Sequence, residues 1–409
     1  MVRCLNCEAA SLSPFIDLGS APLSNGYLTE SSLAAAELWH PLKVVVCSQC
    51  WLAQTAMPLS STDIFTTDYA YFSSTSASWL RHSERFVADV ADRFGLDQAS
   101  MVIEVAANDG YLLQYVRERG IPCVGIEPTT STANAARAKG IPIVEEFLGR
   151  ATGEQIAQAH GAADLVIGNN VLAHVPDIQD FVSGLQSLLK PHGVASLEFP
   201  RVTALVDGSQ FDTIYHEHYS YLSLHSVTSI LGHGDLVVFD AEEIPTHGGS
   251  LRVFAQQATT GVHQVLPSVQ RVLQFECDHG ATTPDYYSTL QDRAKRVKSS
   301  LLRFLLQCEE SGATVAAYGA AAKGSTLLNF AGVRPDLLAF VADRSLSKIG
   351  KSMPGSRISI LEEEAIRRAQ PDFVLILPWN IADEVTAQLA YIRQWGGQFV
   401  SAVPSLEIW

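Results

Sequence analysis

The feature that most constrains this chain is an alternation of short apolar strands with amphipathic helices, which occurs twice. In the first alternation, helical patterns separate four apolar runs at residues 101–105, 123–126, 165–168 and 194–199. A second alternation begins with a strand at 314–318 and ends with one at 398–402. Short buried strands that are separated by helices are typical of parallel sheets covered on both faces. The sequence therefore predicts an α/β protein that uses a doubly wound arrangement twice.

Four of the seven cysteines form two Cys-x-x-Cys pairs near the N-terminus, Cys4 with Cys7 and Cys47 with Cys50. Two such turns can close a tetrahedron of thiolates around one Zn²⁺, which leaves no open position for catalysis. Residues 1–65 carry too little apolar pattern for a large core of their own, so a structural metal would add stability there. Four free or redox-active thiols are the alternative. In a reducing compartment we expect zinc.

The overall balance of charge restricts the partners of the chain. Its 409 residues carry a formal net charge of −15, which argues against a broad surface for nucleic acid or anionic membranes. No run approaches the about 20 apolar residues of a membrane span. The first residues lack the apolar segment of a signal peptide, so we expect a cytoplasmic protein. A small anionic ligand remains compatible with this charge, and the oligomeric state is open.

The turn after the first strand, residues 102–110, lies where a doubly wound fold binds a nucleotide-like ligand. A dinucleotide enzyme would have Gly-x-Gly-x-x-Gly here, but only Gly110 fits, and Ala106 stands in place of the first glycine. Asn108 and Asp109 occupy the turn. The carboxylates of Glu104 and Asp109 would repel a pyrophosphate, whereas they suit the positively charged methionine end of S-adenosylmethionine.

Two further strand ends carry polar side chains. The second strand ends at Glu127, a carboxylate that can accept both ribose hydroxyls of an adenosine. Asn169 and Asn170 follow the third strand. Each fragment alone is as typical of a helix cap or a turn. Because all three occur in register, they favour a site for S-adenosylmethionine and hence a methyltransferase.

The densest cluster of functional side chains is the segment 215–221, Tyr-His-Glu-His-Tyr-Ser-Tyr. His216 and His218 could belong to a metal site, but no third ligand is evident. Alternatively, one imidazole is a general base for a carbon acid next to a ketone, and a tyrosine hydroxyl stabilises the enolate oxygen. A buried patch of aromatic and histidine side chains without a catalytic role is the third interpretation.

In combination, these motifs make the chain resemble the sugar C-methyltransferases of deoxysugar biosynthesis, in particular the dTDP-3-amino-4-keto-hexose C-3-methyltransferases of tetronitrose biosynthesis. The likeness extends over nearly the whole chain. Besides the paired cysteines, it rests on the segments 71–74 (Tyr-Phe-Ser-Ser), 104–110, 215–218, 246–252 (Thr-His-Gly-Gly-Ser-Leu-Arg), 319–324 (Gly-Ala-Ala-Ala-Lys-Gly) and 351–355 (Lys-Ser-Met-Pro-Gly).

The resemblance implies a small zinc-binding module at 1–65 and a central, Rossmann-like S-adenosylmethionine-dependent methyltransferase domain at 66–205. A connecting segment with the catalytic cluster would follow at 206–300, and a C-terminal Rossmann-like domain that binds the nucleotide-sugar at 301–409. The substrate would be a dTDP- or GDP-linked 4-keto-6-deoxysugar, held in the cleft between domains and methylated at C3. The methyl-transfer step would need no metal.

The resemblance also implies roles for individual residues. His218 is the expected base, assisted by Tyr215, Glu217 and His174. The residues expected at the cofactor are Glu104, Ala106, Asn108, Asp109, Gly110, Tyr111, Glu127, Asn169 and Asn170. Those expected at the substrate, outside the C-terminal half, are Tyr69, Tyr71, His216, Tyr219 and Arg252.

In the C-terminal half, the turn at 319–326 joins a strand to a helix, where backbone N–H groups favour phosphate oxygens. Lys323 and Ser325 are therefore candidates for diphosphate contacts, together with Arg252, while Tyr318 and Trp379 could stack on a base. Two other protein classes remain open at this point. One is an NAD(P)-dependent nucleotide-sugar oxidoreductase that uses the turn at Gly319, and the other is a non-catalytic zinc-containing binding protein.

Overall fold

The structure is a computed structural model that describes residues 2–60, residue 64 and residues 72–409. The strands are β1 (Leu12–Ala21), β2 (His40–Cys47), β3 (Ala53–Thr55), β4 (Val102–Val105), β5 (Cys123–Ile126), β6 (Ile143–Val144), β7 (Ala163–Asn169), β8 (Leu189–Pro200), β9 (Ser220–Tyr221), β10 (Leu236–Ile244), β11 (Ser250–Gln257), β12 (Val315–Tyr318), β13 (Val341–Asp343), β14 (Ile360–Glu362), β15 (Phe373–Ile376), β16 (Gln398–Ser401) and β17 (Glu407–Ile408).

The helices in the described part of the chain are α1 (Ala77–Phe94), α2 (Leu113–Glu118), α3 (Thr130–Ala138), α4 (Arg150–His160), α5 (Ile178–Leu188), α6 (Val202–Asp207), α7 (Leu224–His233), α8 (Pro267–Asp278), α9 (Pro284–Ser311), α10 (Ala322–Ala331), α11 (Glu364–Ala369) and α12 (Ala382–Gln388). Within these residues, no helix is both long and apolar enough to cross a bilayer.

An antiparallel sheet forms the N-terminal module, with the strand order β1-β2-β3-β9. Alternate residues of β2, Leu42, Val44 and Val46, are buried, as expected for a sheet with one covered face. The fourth strand, β9, comes from the His- and Tyr-rich segment. The sheet therefore ties the N-terminal module directly to the cluster that was predicted to be catalytic.

The central sheet has seven strands in the order β10-β11-β8-β7-β4-β5-β6. Strands β8, β7, β4, β5 and β6 are parallel, in agreement with the predicted α/β fold. Residues 206–300 were expected to connect two domains, yet they add the antiparallel hairpin β10–β11 to this sheet. Charged residues such as Asp240 and Arg252 interrupt the apolar pattern of this hairpin. They pair across neighbouring elements, which the sequence pattern did not reveal.

A third sheet of six strands, in the order β14-β13-β12-β15-β16-β17, forms the C-terminal domain. It is parallel except for β17, so the second predicted alternation also forms a doubly wound sheet. The long helix α9 joins this domain to the N-terminal module, because Tyr287 on α9 packs edge-on against Phe15 of β1 at 5.1 Å. The two parts share one hydrophobic core.

Candidate active site

One cavity of about 1240 Å³ lies between the three sheets. It is lined by Asn25 of the N-terminal module, by Asn169 at the carboxyl end of β7, by His218 and by Lys323 at the start of α10. Pockets for a single small ligand usually measure about 300–1,000 Å³. The cavity is therefore large enough for two ligands side by side.

The turn after β4 follows a tight path at the edge of this cavity. Ala106 and Asn108 have positive φ angles of 56° and 48°, and Gly110 has a φ of 74°. A Cβ atom at position 110 would lie only 2.3 Å from Cδ1 of Ile141. Position 110 therefore requires glycine for both its backbone conformation and its close packing.

Glu127 holds this turn in place. Its carboxylate accepts the backbone N–H of Asn108 and that of Thr129, each at 2.9 Å, and the hydroxyl of Thr132 at 3.0 Å. Burial raises the pKa of Glu127, although these hydrogen bonds oppose the shift. Glu127 also lines the cavity, so one side chain both shapes the turn and faces the space beside it.

The predicted cofactor residues divide into two groups. The cavity is lined by Ala106, Asn108, Tyr111, Glu127, Asn169 and Asn170, whereas Glu104, Asp109 and Gly110 lie behind its wall. Glu104 is fully buried, and burial raises its pKa well above the usual value. Asp109 accepts the backbone N–H of Ser74 at 3.3 Å. Glu104, Asp109 and Gly110 therefore shape the turn, and their positions do not support the predicted contact of the two carboxylates with the positively charged end of S-adenosylmethionine.

Asn169 offers the sharpest test of whether this edge fits S-adenosylmethionine. Its side chain is only 6% exposed, and neither its amide nitrogen nor its oxygen has a hydrogen-bond partner among the described residues. A buried polar group without a partner costs about 1–3 kcal/mol. The hydroxyls and the amino-acid end of an adenosyl ligand are groups that could satisfy this amide. The residues present therefore fit the cofactor.

A hydrogen bond to the backbone of Thr213 fixes the orientation of the His218 ring. Nδ1 of His218 lies 2.8 Å from the carbonyl oxygen of Thr213, which can only accept, so Nδ1 carries the hydrogen and Nε2 keeps its lone pair. The ring lies 4.0 Å from that of Tyr215 and 4.7 Å from that of His174. Burial lowers the pKa of His218 well below its usual value and that of His174 to about 4. Both imidazoles are therefore neutral at pH 7.

The side chains of the His- and Tyr-rich segment point in different directions. Tyr215, Glu217 and His218 line the cavity. His216 and Tyr219 do not line it, because they turn toward the N-terminal module. Nε2 of His216 lies 3.3 Å from the carbonyl oxygen of His40, and the Tyr219 hydroxyl donates to the carbonyl oxygen of Leu59 at 2.8 Å.

The positions of His216 and Tyr219 do not support their predicted contacts with the substrate. The segment forms a turn at residues 215–218, closed by the hydrogen bond from the backbone N–H of His218 to the carbonyl oxygen of Tyr215 at 2.9 Å, so its side chains leave the chain in different directions. Tyr69 and Tyr71, two further residues predicted at the substrate, lie outside the described residues.

Arg252 lines the cavity but is engaged in an ion-pair network. Its guanidinium donates to Glu198 at 3.0 Å, and Glu198 also lies 2.9 Å from Nε2 of His82. Burial acts to raise the pKa of Glu198, but His82 and Arg252 more than offset this and hold the pKa below its usual value. Arg252 is therefore neutralised by a buried carboxylate, which weakens its predicted role as a diphosphate contact. Glu198 and His82 were not predicted as site residues, although an acid inside the apolar run 194–199 was a signal of a buried pair.

Of the residues predicted in the C-terminal half, Lys323 lines the cavity. Its Nζ donates to the side-chain oxygen of Asn380 at 2.8 Å and lies 4.4 Å from the ring of Trp379. Burial lowers the pKa of Lys323 to about 8, so the side chain remains largely cationic at pH 7.

Ser325, Tyr318 and Trp379 do not line the cavity. Ser325 is 1% exposed and faces the core, one turn of helix after the start of α10. The hydroxyl of Tyr318 contacts Gln388, and the indole N–H of Trp379 donates to Asp212 at 2.7 Å. Because none of the three lines the cavity, their positions do not support the predicted contacts with diphosphate or base.

His247 also lines the cavity, although we did not predict it as a site residue. It has a positive φ of 54°, which is unusual for a residue other than glycine. Its ring packs against Trp79 at 5.2 Å, and its Nε2 lies 3.3 Å from the amide nitrogen of Asn170. The adjacent glycines at 248 and 249 were the signal that this turn is conformationally unusual.

The four N-terminal cysteines meet in one cluster. Their Sγ atoms all lie within 4.8 Å of one another, with 3.4 Å between Cys4 and Cys50 and 3.5 Å between Cys7 and Cys47. A tetrahedral zinc with bonds of about 2.3 Å separates its sulfurs by about 3.8 Å. The set fits one zinc ion in a closed, structural site, in which Cys4, Cys47 and Cys50 are buried and Cys7 is partly exposed.

Three family models match consecutive parts of the chain. A zinc binding domain matches residues 4–65, a methyltransferase domain matches residues 79–239, and a C-methyltransferase C-terminal domain matches residues 245–404. The bounds of the matches differ from those of the sheets, because β9 of the N-terminal sheet lies within the second match and β11 of the central sheet lies within the third.

Similar proteins are also methyltransferases. C-methyltransferase NovU from Streptomyces niveus is 34% identical over 98% of this chain and 95% of its own length. A ubiquinone biosynthesis O-methyltransferase from Rhizobium etli is 25% identical over 30% of this chain and 58% of its own length. Among solved structures, a magnesium protoporphyrin IX methyltransferase from Synechocystis is 17% identical with a TM-score of 0.35, over 44% of this chain and 82% of its own. The similarity to NovU along almost the entire length shows that this chain belongs to the C-methyltransferase family and is an S-adenosylmethionine-dependent enzyme with an N-terminal zinc-binding domain.

Proposed function

We propose that this C-methyltransferase acts on a nucleotide-linked 4-keto-6-deoxysugar and methylates C3, the carbon next to the ketone. The cavity has room for a second ligand beside the cofactor, which supports a substrate of this size. The family resemblance given above points to a dTDP- or GDP-linked sugar. The expected chemistry requires a base for the C–H bond and a partner for the oxygen of the enolate.

The observation that carries the proposal is the hydrogen bond from His218 Nδ1 to the carbonyl oxygen of Thr213. It fixes the tautomer in which Nε2 is a proton acceptor at the cavity. The depressed pKa of His218 keeps its imidazole neutral at pH 7, so Nε2 can accept a proton as soon as the substrate binds. His218 then takes the proton from C3, and the ketone stabilises the resulting carbanion as an enolate.

S-adenosylmethionine, when bound, supplies an electrophilic methyl group on its sulfonium sulfur. The chain must align the sugar carbon with that methyl and hold the base beside it. We assign binding of the adenosyl ligand to the edge formed by Asn108, Glu127 and Asn169. Tyr215 and Glu217 line the same cavity as His218 and are the proposed assisting groups. Stabilisation of the enolate oxygen is assigned to the hydroxyl of Tyr215.

We place the diphosphate of the substrate at the C-terminal side of the cavity. Lys323 provides a cation there at the start of α10, where the helix dipole also favours an anion. Lys348 is a second lysine in the lining. Its Nζ lies 4.0 Å from the carboxylate of Asp343, which partly offsets its charge, so Lys323 is the principal cation proposed for the diphosphate.

The test is a methyl-transfer assay with a panel of dTDP- and GDP-linked 4-keto-6-deoxyhexoses that carry a 3-amino or a 3-hydroxyl group. We expect one member to accept a methyl group on C3, identified by NMR of the product. The variant Lys323→Met should raise KM for that sugar about tenfold or more, since a hydrogen bond to a charged group contributes about 1.5–3 kcal/mol. Methylation at a carbon that is not adjacent to the ketone, or only on a heteroatom, would contradict the proposal.

A further inference from the structure

A turn of the N-terminal module reaches into the active-site cavity. It is closed by the hydrogen bond from the backbone N–H of Gly26 to the carbonyl oxygen of Leu23, at 3.0 Å. Asn25, in the middle of the turn, lines the cavity together with Glu217 and His218. The module that holds the cysteine cluster therefore contributes a side chain to the site where the chemistry is proposed.

Asn25 makes a short hydrogen bond to the carboxylate of Glu217. Its side-chain nitrogen donates to Oε1 of Glu217 at 2.6 Å, although the two residues are 192 positions apart. The orientation of the amide follows from its chemistry, because a carboxylate can only accept and the NH₂ group is the only donor in the side chain of asparagine. Glu217 is 3% exposed, so this contact lies in a poorly solvated environment, where a charge-assisted hydrogen bond is strong.

Tyr27 lies beside the other end of the same amide. Its hydroxyl has one hydrogen to donate, and the shorter contact is to the carbonyl oxygen of Ala320 at 2.6 Å, at the turn that follows β12, while Oδ1 of Asn25 lies 3.2 Å away. Lys348 donates to that same carbonyl oxygen at 2.8 Å, and its Nζ lies 5.3 Å from the centre of the Tyr27 ring. A row of contacts thus runs from the C-terminal domain through the turn at residue 25 to Glu217.

We propose that Asn25 is a positioning residue for catalysis, which fixes the carboxylate of Glu217 in the geometry that the reaction requires. One carboxylate oxygen is held by the amide, so the carboxyl plane can no longer rotate freely at the cavity. The N-terminal module is then part of the active site in addition to stabilising the fold. This inference rests on the proposed function, because it needs Glu217 to assist the chemistry.

The first test compares Asn25→Ala with a matched control on the same module, Thr29→Ala, whose side chain is exposed. Asn25→Ala should lower kcat for the cognate sugar by about ten- to a hundred-fold, the effect of one lost hydrogen bond to a charged group. The zinc content, the KM for the sugar and the thermal shift caused by S-adenosylhomocysteine should stay at wild-type values. Thr29→Ala should keep the wild-type kcat.

The second test uses a readout that a merely structural residue would not affect. Asn25→Asp has almost the same shape but places a second carboxyl group against Glu217. Two carboxylates at this distance share a proton, which raises one of their pKa values. The kcat of Asn25→Asp should therefore fall as the pH rises through that raised pKa, because the bridging proton is lost, whereas Asn25→Ala should be low without this additional limb.

The variant Glu217→Ala separates failure of this inference from failure of the proposed function. If Glu217→Ala is impaired while Asn25→Ala and Asn25→Asp keep the wild-type kcat and pH profile, the positioning role of Asn25 is wrong and the proposed function stands. If Glu217→Ala itself keeps the wild-type kcat, the assisting role of Glu217 is wrong, and the role of Asn25 is lost with it.

Discussion

At the scale of single residues, the cavity is notable for histidines that burial keeps neutral. Burial lowers the pKa of His174 and of His247 to about 4, and it lowers the pKa of His218 well below its usual value. In the unfolded chain these imidazoles would have a pKa of about 6.5. The free energy of unfolding must therefore depend on pH in the acidic range.

The sign of this dependence follows from proton linkage. Between about pH 6.5 and pH 4, the unfolded chain binds protons that the folded chain excludes, so stability is present above about pH 6.5 and is lost as the pH falls. A shift from 6.5 to about 4 corresponds to about 3 kcal/mol for one group. We predict that the free energy of unfolding of His174→Gln falls less between pH 7 and pH 5 than that of the wild type.

Chemical denaturation at several pH values measures this difference. His160→Gln is the matched control, because His160 lies exposed at the end of α4 and should leave the slope unchanged. Equal slopes for His174→Gln and the wild type would mean that His174 is not held neutral by burial.

At the scale of secondary-structure elements, the turn between β4 and α2 tolerates little change at Gly110, because both the backbone and the packing are restricted there. We predict that Gly110→Ala destabilises the fold by about 1–2 kcal/mol from the left-handed backbone alone, with a further loss from overpacking of about 1–3 kcal/mol. The overpacking arises because the added Cβ would meet Ile141. The displaced turn should also weaken binding of S-adenosylhomocysteine.

Gly95→Ala provides the matched control for this prediction. Gly95, the residue after α1, has a similar φ of 62° but open space where a Cβ would be. It should show the backbone cost without the packing cost and should bind the cofactor product normally. Equal stabilities of the two variants, measured by denaturant titration, would contradict the packing argument at residue 110.

The elements also show what the sequence could predict. The strands β4, β5, β7 and β8 were predictable because each is a short apolar run bounded by polar turns. The hairpin β10–β11 was not, since its charged residues Asp240 and Arg252 find their partners on α1 and β8 only after these elements have packed together. The segment 215–218 forms a turn instead of a strand, so no simple alternation in the sequence could predict which of its side chains face the cavity. The contact of Asn25 with Glu217 could not be predicted, because no local pattern links residues 192 positions apart.

At the scale of the whole molecule, the three sheets meet around one cavity, and the cysteine cluster stabilises the smallest of them. We predict one zinc ion per chain by elemental analysis. Cys47→Ser should lose this zinc, and the melting temperature should fall by several degrees, because zinc binding to the folded module stabilises it. If Cys47→Ser contained no zinc but kept the wild-type melting temperature, the structural role of the cluster would be wrong.

Cys123→Ser is the matched control for the zinc prediction. Cys123 is buried in the central sheet, outside the cluster, so its substitution should keep the full zinc content. This control separates the effect of losing a metal ligand from the general destabilisation that follows when any buried thiol is replaced. The methyl-transfer rate of the folded fraction of Cys47→Ser should change less than its stability.

The most direct test of the account is exchange of the sugar proton, because it isolates the step assigned to His218. The enzyme, the cognate keto-sugar and S-adenosylhomocysteine are incubated in D₂O, where methyl transfer cannot follow, and deuterium at C3 is measured by NMR. We predict exchange with the wild type and a loss of at least a hundredfold with His218→Asn, which should still bind S-adenosylhomocysteine. Undiminished exchange with His218→Asn would show that another group removes the proton.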